Sequence, residues 1–298
     1  SRGRQIGLAV TALDEIMGEV RPAAVVVQGD TNTVLAAAVA ANAREVPVVH
    51  VEAGLRSRDR RMPEEHNRVV TDHLADLLLA PTETSRSNLL GEGIPDERIV
   101  VTGNTVVEAV TELMPKVDDR EALAASFGVE PGRFVLSTFH RPENVDDPET
   151  LATILAQLAA LPYPVLLPLH PRAVARVAEA GLGDLLGTIT VTEPIGYREF
   201  LGLGAESAFL VSDSGGVQEE VSVYKRPVLV VRRSTERPEV LGTFAERVEP
   251  GPDIARVAGG WSADLEAVHA RLAELPSPYG DGSASRRSVD AIKELINA

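Results

Sequence analysis

Apolar residues in this chain follow two habits: short continuous runs, and longer stretches in which they recur every three or four positions. Over residues 5–20 the apolar positions are Ile6, Val10, Leu13, Met17 and Val20, a spacing that predicts an amphipathic helix. The run at 23–27 suits a buried strand, and after it come the polar loop GDTNT (29–33) and an alanine-rich helix over 33–43. The same order repeats as strand 46–51, a loop through Arg61 and a helix over 63–75. Pro63 at the first helical position needs no backbone partner, and Glu64 and Glu65 suit the positive end of the helix dipole. Strand 77–80, a helix capped by Thr82 and ended by Gly91 or Gly93, strand 99–102 and a helix over 105–114 continue the rhythm. Such alternation predicts a parallel sheet covered on both faces.

The composition changes over residues 115–132, where a short helix lies between turn-forming ends, and a domain boundary is expected there. Beyond it the alternation restarts: strand 134–138, the loop HRPENVDDPE, helix 150–161, strand 164–169, helix 172–180, strand 188–192, helix 197–203, strand 209–212, helix 216–223, strand 227–231 and the loop STERPE. After the turn SPYGDG (277–282) a final helix carries Val289, Ile292, Leu295 and Ile296 on one side and is expected to cross back to the first domain. The expected domains are therefore 1–117 with 282–298, and 118–281.

Composition narrows the chemistry. Twenty-nine basic against 44 acidic residues give a net charge of −15, which opposes general binding to nucleic acid or an anionic membrane. The absence of cysteine removes disulfides, thiolate metal sites and cysteine nucleophiles. The lysines are Lys116, Lys225 and Lys293, and none sits in a P-loop. No run of 18 apolar residues occurs, and the start SRGRQIGLAV has no secretory core, so a cytoplasmic location is expected. An anionic ligand would have to be held by helix N-termini, backbone amides and a few arginines.

Asp30, Glu52 and Glu64 each fall at or just past a strand end, where open α/β sheets bind ligands. Three carboxylates in one cleft would disfavour joint ionisation and so could exchange a proton with carbon or oxygen. Each also has a plainer reading: Asp30 capping the next helix, Glu52 pairing with Arg56 or Arg58, and Glu64 serving the helix dipole. In the second half, Asp213-Ser214-Gly215-Gly216 stands between a strand and a helix, a place where free amides receive a phosphate, with Glu220 one turn in, where a carboxylate can accept from a ribose hydroxyl. His140 and Arg141 begin the loop after that half's first strand and suit phosphate contact. His170 with Arg172 has a similar place. STERPE (234–239) reads as a second anion-binding helix entrance, and Tyr197 or Phe200 as a surface for a base, with core packing the alternative for Phe200. Neither His50 with Glu52 nor Glu65 with His66 matches a metal-ligand spacing, and no metal is expected.

Taken together the loops QGDTNT (28–33), HVEAGLR (50–56), PEEHNR (63–68), PTETSRSNLL (81–90), VTGNTVVEAV (101–110), HRPEN (140–144), DSGGVQEE (213–220), TERPE (235–239) and SPYGDG (277–282) resemble those of the non-hydrolysing UDP-N-acetylglucosamine 2-epimerases. The resemblance implies an α/β fold of two Rossmann-like domains in tandem, of the GT-B type, with the nucleotide-sugar cleft between them. It implies interconversion of UDP-N-acetylglucosamine and UDP-N-acetylmannosamine without a cofactor, through loss of UDP and a 2-acetamidoglucal intermediate. Asp30, Glu52 and Glu64 would be the acid-base groups, His140 and Arg141 diphosphate contacts, Ser214 and Gly215 phosphate ligands, Glu220 the ribose ligand and Phe200 the residue against uracil. A homodimer is expected. Members of that family begin with a strand and a GTRPE-type loop, so the first βαβ portion is expected to be absent from these 298 residues. Two readings stand beside it: a hydrolysing enzyme that releases N-acetylmannosamine and UDP from the same intermediate, and, from another class, an inert nucleotide-sugar-binding subunit.

Overall fold

The structure, a computed structural model, describes residues 1–169 and 171–297. His170 and the side chain of Arg172 lie outside the described residues. The chain divides into two compact units, Ser1–Glu108 with Pro278–Ala298, and Ala109–Ser277.

The first unit contains α1 (Arg2–Val20), β1 (Val25–Gln28), α2 (Asn32–Ala43), β2 (Val48–Val51), α3 (Pro63–Leu74), β3 (Leu77–Ala80), α4 (Glu83–Gly91), β4 (Ile99–Val101) and the start of α5 (Val106–Leu113). Local chemistry fixes the helix starts. Thr31 and Thr82 accept from Val34 N and Ser85 N at 3.3 and 3.1 Å, and Pro63 opens α3. The strands run parallel in the order β1-β2-β3-β4. Alternation along them builds two faces: Val48, Leu78 and Ala80 pack with Met17, Ala38 and Ala41, while Val49, Leu77 and Leu79 pack with Ala291, Ile292 and Leu295 of the C-terminal helix. That second face is why the chain's last helix belongs to the first unit. The turn before it is tied down as well, since Asn104 N donates to Tyr279 O and Arg287 Nη1 to Thr102 O at 2.8 and 3.1 Å.

The second unit follows with α6 (Val117–Ser126), β5 (Val135–Thr138), α7 (Pro142–Val145), α8 (Pro148–Ala159), β6 (Val165–Pro168), α9 (Pro171–Glu179), β7 (Ile189–Thr192), α10 (Tyr197–Glu206), β8 (Phe209–Ser212), α11 (Gly215–Tyr224), β9 (Val228–Val231), β10 (Ala245–Val248), α12 (Asp253–Ala263) and α13 (Leu265–Ala273), after which α14 (Ala284–Asn297) returns to the first. Its six strands are parallel in the order β10-β9-β8-β5-β6-β7. This is the doubly wound order, and the direction of winding reverses between β5 and β8, which opens a crevice at their carboxyl ends. The division between units falls inside α5, ahead of the composition change, and α6 packs on α10 where Gly202 lies under Pro115, Arg120 and Leu123.

Several expectations need correction. Val289 and Ile296 are 48% and 46% exposed; the stripe that packs is Ala284, Ser288, Ala291, Ile292 and Leu295, and the other two rotate off it. Val20, the last residue of α1, is exposed as well. STERPE opens only a three-residue turn, Pro238–Val240, and not an anion-binding helix. The strand β10 and helices α12 and α13 were not expected: the two middle residues of β10, Glu246 and Arg247, point to solvent, and Gly259-Gly260 interrupts the pattern of α12. Among the described residues no helix is long and apolar enough to cross a membrane.

The second core centres on Phe209, edge-on to Tyr163 and Trp261 at 6.1 and 5.7 Å between ring centroids. Phe209→Ala should destabilise this unit by about 3–5 kcal/mol. The check is urea denaturation followed by the fluorescence of Trp261, the only tryptophan in the chain; a loss below about 1 kcal/mol would contradict this account of the core.

Candidate active site

In the first unit the loops that leave β1 and β2 stand side by side because the strands are paired in parallel, Gln28 opposite Val51. Asp30 accepts from Arg68 Nε through Oδ2 at 3.1 Å, and its main-chain carbonyl accepts from Asn67 Nδ2 at 2.8 Å. Glu52 accepts from Gln28 Nε2 at 2.8 Å, and its other oxygen lies 3.9 Å from where a Cβ on Gly29 would stand. Glu64 sits half-buried in the first turn of α3 and its carboxylate has no side-chain partner among the described residues. The plainer readings of the first two give way: the cap of α2 is Thr31, not Asp30, and Glu52 bonds the neutral Gln28 instead of an arginine. Glu52 also holds φ at +66°, a conformation sterically suited to glycine.

A buried frame stands behind these groups. His50 is fully buried, with Nδ1 2.6 Å from Asp72 Oδ1 and Nε2 2.9 Å from Gly29 O. Asp72, equally buried, also accepts from Gly54 N at 3.2 Å and pairs with Arg56 Nη2 at 2.7 Å. Burial alone would raise the Asp72 carboxyl, but the His50 and Arg56 contacts outweigh it and hold it below the usual carboxylate range. Arg56 reaches on to Glu92 at 2.6 Å. Burial opposes its charge too, and the two carboxylates more than offset that. Glu65 accepts from Ser57 N, Ser57 Oγ and Arg58 N at 2.9, 2.8 and 2.8 Å, and pairs with Arg68 Nη1 at 2.7 Å. Gly54 is required here, since at φ +83° a Cβ would strike the Ser85 carbonyl.

In the second unit the crevice between β5 and β8 is organised by Asp213, which has no solvent exposure. Its carboxylate accepts from the amides of His140 and Arg141 at 3.2 and 3.0 Å and from Asn144 Nδ2 at 3.0 Å. It also lies 3.0 Å from His140 Nδ1, while the His140 ring is 58% exposed, which leaves Nε2 free to face a ligand. Burial pushes the Asp213 carboxyl up, but His140, Asn144 and the Arg141 amide prevail and keep it low. Arg141 Nε donates to Asp213 O at 2.9 Å. Ser214 is the N-cap residue of α11 without a capping side chain, so the first-turn amides, Gly215 and Gly216 among them, have no partner within the helix. A Cβ on Gly215 would stand 2.7 Å from Arg237 Nη1. Arg237 in turn pairs with Glu219 at 2.8 Å and with Glu236, and Thr235 Oγ1 donates to Gln218 at 2.7 Å, so TERPE braces the helix start from behind.

Glu220 is buried, and its Oε2 has no partner among the described residues. Burial pushes its carboxyl up to about 7, against the opposing influence of a hydrogen bond from Tyr197 and the charge of Arg237. Tyr197, at the start of α10, is itself raised, first by burial and then by Glu220. Phe200, one turn on, is half-buried. The structure thus gathers Asp30, Glu52 and the start of α3 at one sheet edge, and His140, Arg141, Ser214, Gly215 and Glu220 at another. Sequence reasoning missed His50, Asp72, Arg68 and Asp213 as organising residues. Their signal was present in part, since all but Asp72 lie inside the motifs already singled out.

Two parallel-sheet units, one edged with carboxylates and the other with an open helix N-terminus, are the arrangement expected of an enzyme of nucleotide-sugar chemistry. The comparisons with known proteins narrow this class. The family model described as UDP-N-acetylglucosamine 2-epimerase matches residues 1–293, and the chain belongs to that family. It is 39% identical to the UDP-N-acetylglucosamine 2-epimerase of Methanocaldococcus jannaschii over 97% of this chain and 80% of the relative. The crystal structure of the M. jannaschii enzyme with UDP-GlcNAc and UDP matches with a TM-score of 0.84 at 37% identity, covering 99% of this chain and 82% of that one. The S. aureus MnaA structure with UDP matches with a TM-score of 0.89 at 34% identity, covering 100% and 82%. A Pseudomonas aeruginosa relative, 34% identical over 99% of this chain and 81% of its own, is a UDP-2,3-diacetamido-2,3-dideoxy-D-glucuronate 2-epimerase.

Glu220 also makes stability depend on pH. Its proton affinity in the folded chain exceeds the ordinary value of 4.5, so its contribution is fully present below pH 4.5 and is lost as pH rises towards about 7. Glu220→Gln should therefore gain stability relative to the parent between those values and hold a constant advantage above them. Denaturant titrations across that range check this, and a pH-independent difference would contradict it.

Proposed function

We propose that this chain epimerises carbon 2 of UDP-N-acetylglucosamine, interconverting it with UDP-N-acetylmannosamine. The observation that carries this reading is the set of carboxylates, Asp30, Glu52 and Glu64, at the loops leaving β1 and β2 and in the first turn of α3, in a chain whose relatives along nearly its whole length are 2-epimerases. One carboxylate removes the carbon 2 proton as the bond from carbon 1 to UDP breaks, giving a 2-acetamidoglucal and UDP. UDP then adds back and a proton returns to the other face of carbon 2, so no atom is gained or lost. Groups handling protons this way typically contribute about 10²–10⁴-fold. Glu52, bonded to a neutral amide, and Glu64, without a partner, have oxygens to spare for this work.

The second unit holds UDP in this reading. His140 presents Nε2 to the diphosphate beside Arg141, the Ser214 hydroxyl and the Gly215 amide bind phosphate, Oε2 of Glu220 accepts from the ribose, and Phe200 lies against uracil. The P. aeruginosa relative favours a second substrate reading, in which the same proton is exchanged on a 2,3-diacetamido sugar acid. A cytoplasmic homodimer completes the proposal, supported by the apolar side chains Leu8, Ile16 and Val70 that helices of the first unit leave exposed.

Incubation with UDP-N-acetylglucosamine in deuterated water should place deuterium at carbon 2 of the recovered sugar nucleotide with little free UDP. Exchange only with the diacetamido glucuronate would move the substrate, steady accumulation of UDP would indicate hydrolysis, and no exchange with either sugar would overturn the reading. Glu52→Gln and Glu64→Gln should each slow exchange at least about 10²-fold.

A further inference from the structure

The motif PEEHNR contributes one candidate acid-base group, Glu64, yet its other residues Glu65, Asn67 and Arg68 are all buried. Burying an arginine is unfavourable unless its charge is matched, and Arg68 is among the largest fully buried side chains at 1% exposure. Its fork is divided between the loop after β1 and the first turn of its own helix: Nε donates to Asp30 Oδ2 at 3.1 Å and Nη1 to Glu65 Oε2 at 2.7 Å. Nη2 is buried without a partner among the described residues, so the side chain is held by these two carboxylates. Glu65 in turn anchors the amides of Ser57 and Arg58. Asn67, one residue back, holds the same aspartate from its main chain, with Nδ2 2.8 Å from Asp30 O.

We propose that Asn67 and Arg68 are positioning residues that clamp Asp30 at both its carbonyl and its carboxylate, leaving Oδ1 as the one oxygen offered to the substrate. Adjacent positions on α3 thus fix the aspartate in place and in rotamer. A lysine cannot reproduce the effect, because a single ammonium lacks the planar fork that spans Asp30 and Glu65. The loss expected is in orientation, and misplacement by about 1 Å can cost about 10²-fold in rate. Binding of UDP should not change, because its proposed contacts lie on other residues.

This inference rests on Asp30 acting in the proposed reaction, and a double-mutant cycle on the full chain separates the two. Arg68→Lys and Asn67→Ala are each combined with Asp30→Asn, and kcat, KM and the Kd for UDP are measured. Each single variant should lower kcat by about 10–10²-fold, with KM and the UDP Kd within about threefold of the parent. In the Asp30→Asn background either change should cost less than about threefold more, because the group they position is already altered. Multiplicative losses in the double variants, or a raised KM with kcat intact, would overturn the clamp. Full activity of Asp30→Asn alone would instead remove the role of Asp30. If Arg68→Lys does not fold, Asn67→Ala decides the matter, since it leaves the guanidinium in place.

Discussion

A carboxylate with no access to water, Asp72, is the constraint on which the first unit's edge depends. It is reached by His50 from β2, by the Gly54 amide and by Arg56, all parts of one loop and its parent strand. A buried charge of this kind is tolerable only with every partner present, and removing one partner of such a pair commonly costs about 3–5 kcal/mol. The loop after β2 therefore has one low-energy path. Because the far side of the His50 ring bonds Gly29 O, that path is coupled to the loop after β1.

The second unit solves the same problem with Asp213. Its carboxylate gathers the His140 and Arg141 amides, Asn144 and the His140 ring, so a loop leaving β5 is shaped by a residue leaving β8. The two cases differ in what is presented. Asp72 buries its histidine completely and uses it as a strut, whereas Asp213 holds a histidine whose ring is mostly in solvent. Residue type alone does not distinguish a buried strut from a ring left open to solvent. Burial does.

The division of information between sequence and structure follows from range. The βα rhythm, the cap at Thr82 and the proline at the start of α3 are local, and that rhythm placed Asp30, Glu52 and Glu64 after β1 and β2. What sets those residues in place is distant: Arg68 lies 38 positions from Asp30, and Asp213 lies 73 from His140. No periodicity encodes such pairs. Strand β10 was hidden because half its residues face water, and TERPE was misread as a helix entrance because it opens only a three-residue turn, with Thr235 and Arg237 reaching back to Gln218 and Glu219.

Glu52 shows what the site asks of the fold. A left-handed backbone at a residue with a Cβ is uphill by roughly 1 kcal/mol or more. Glycine would relax that position, and so would asparagine in part. Selection for heat resistance and the proposed role of Glu52 in turnover therefore pull this residue in opposite directions. A library sorted only by thermal survival should lose the glutamate there sooner than at other half-buried positions, and under the proposed role of Glu52 the survivors would be sturdier proteins stripped of an acid-base group.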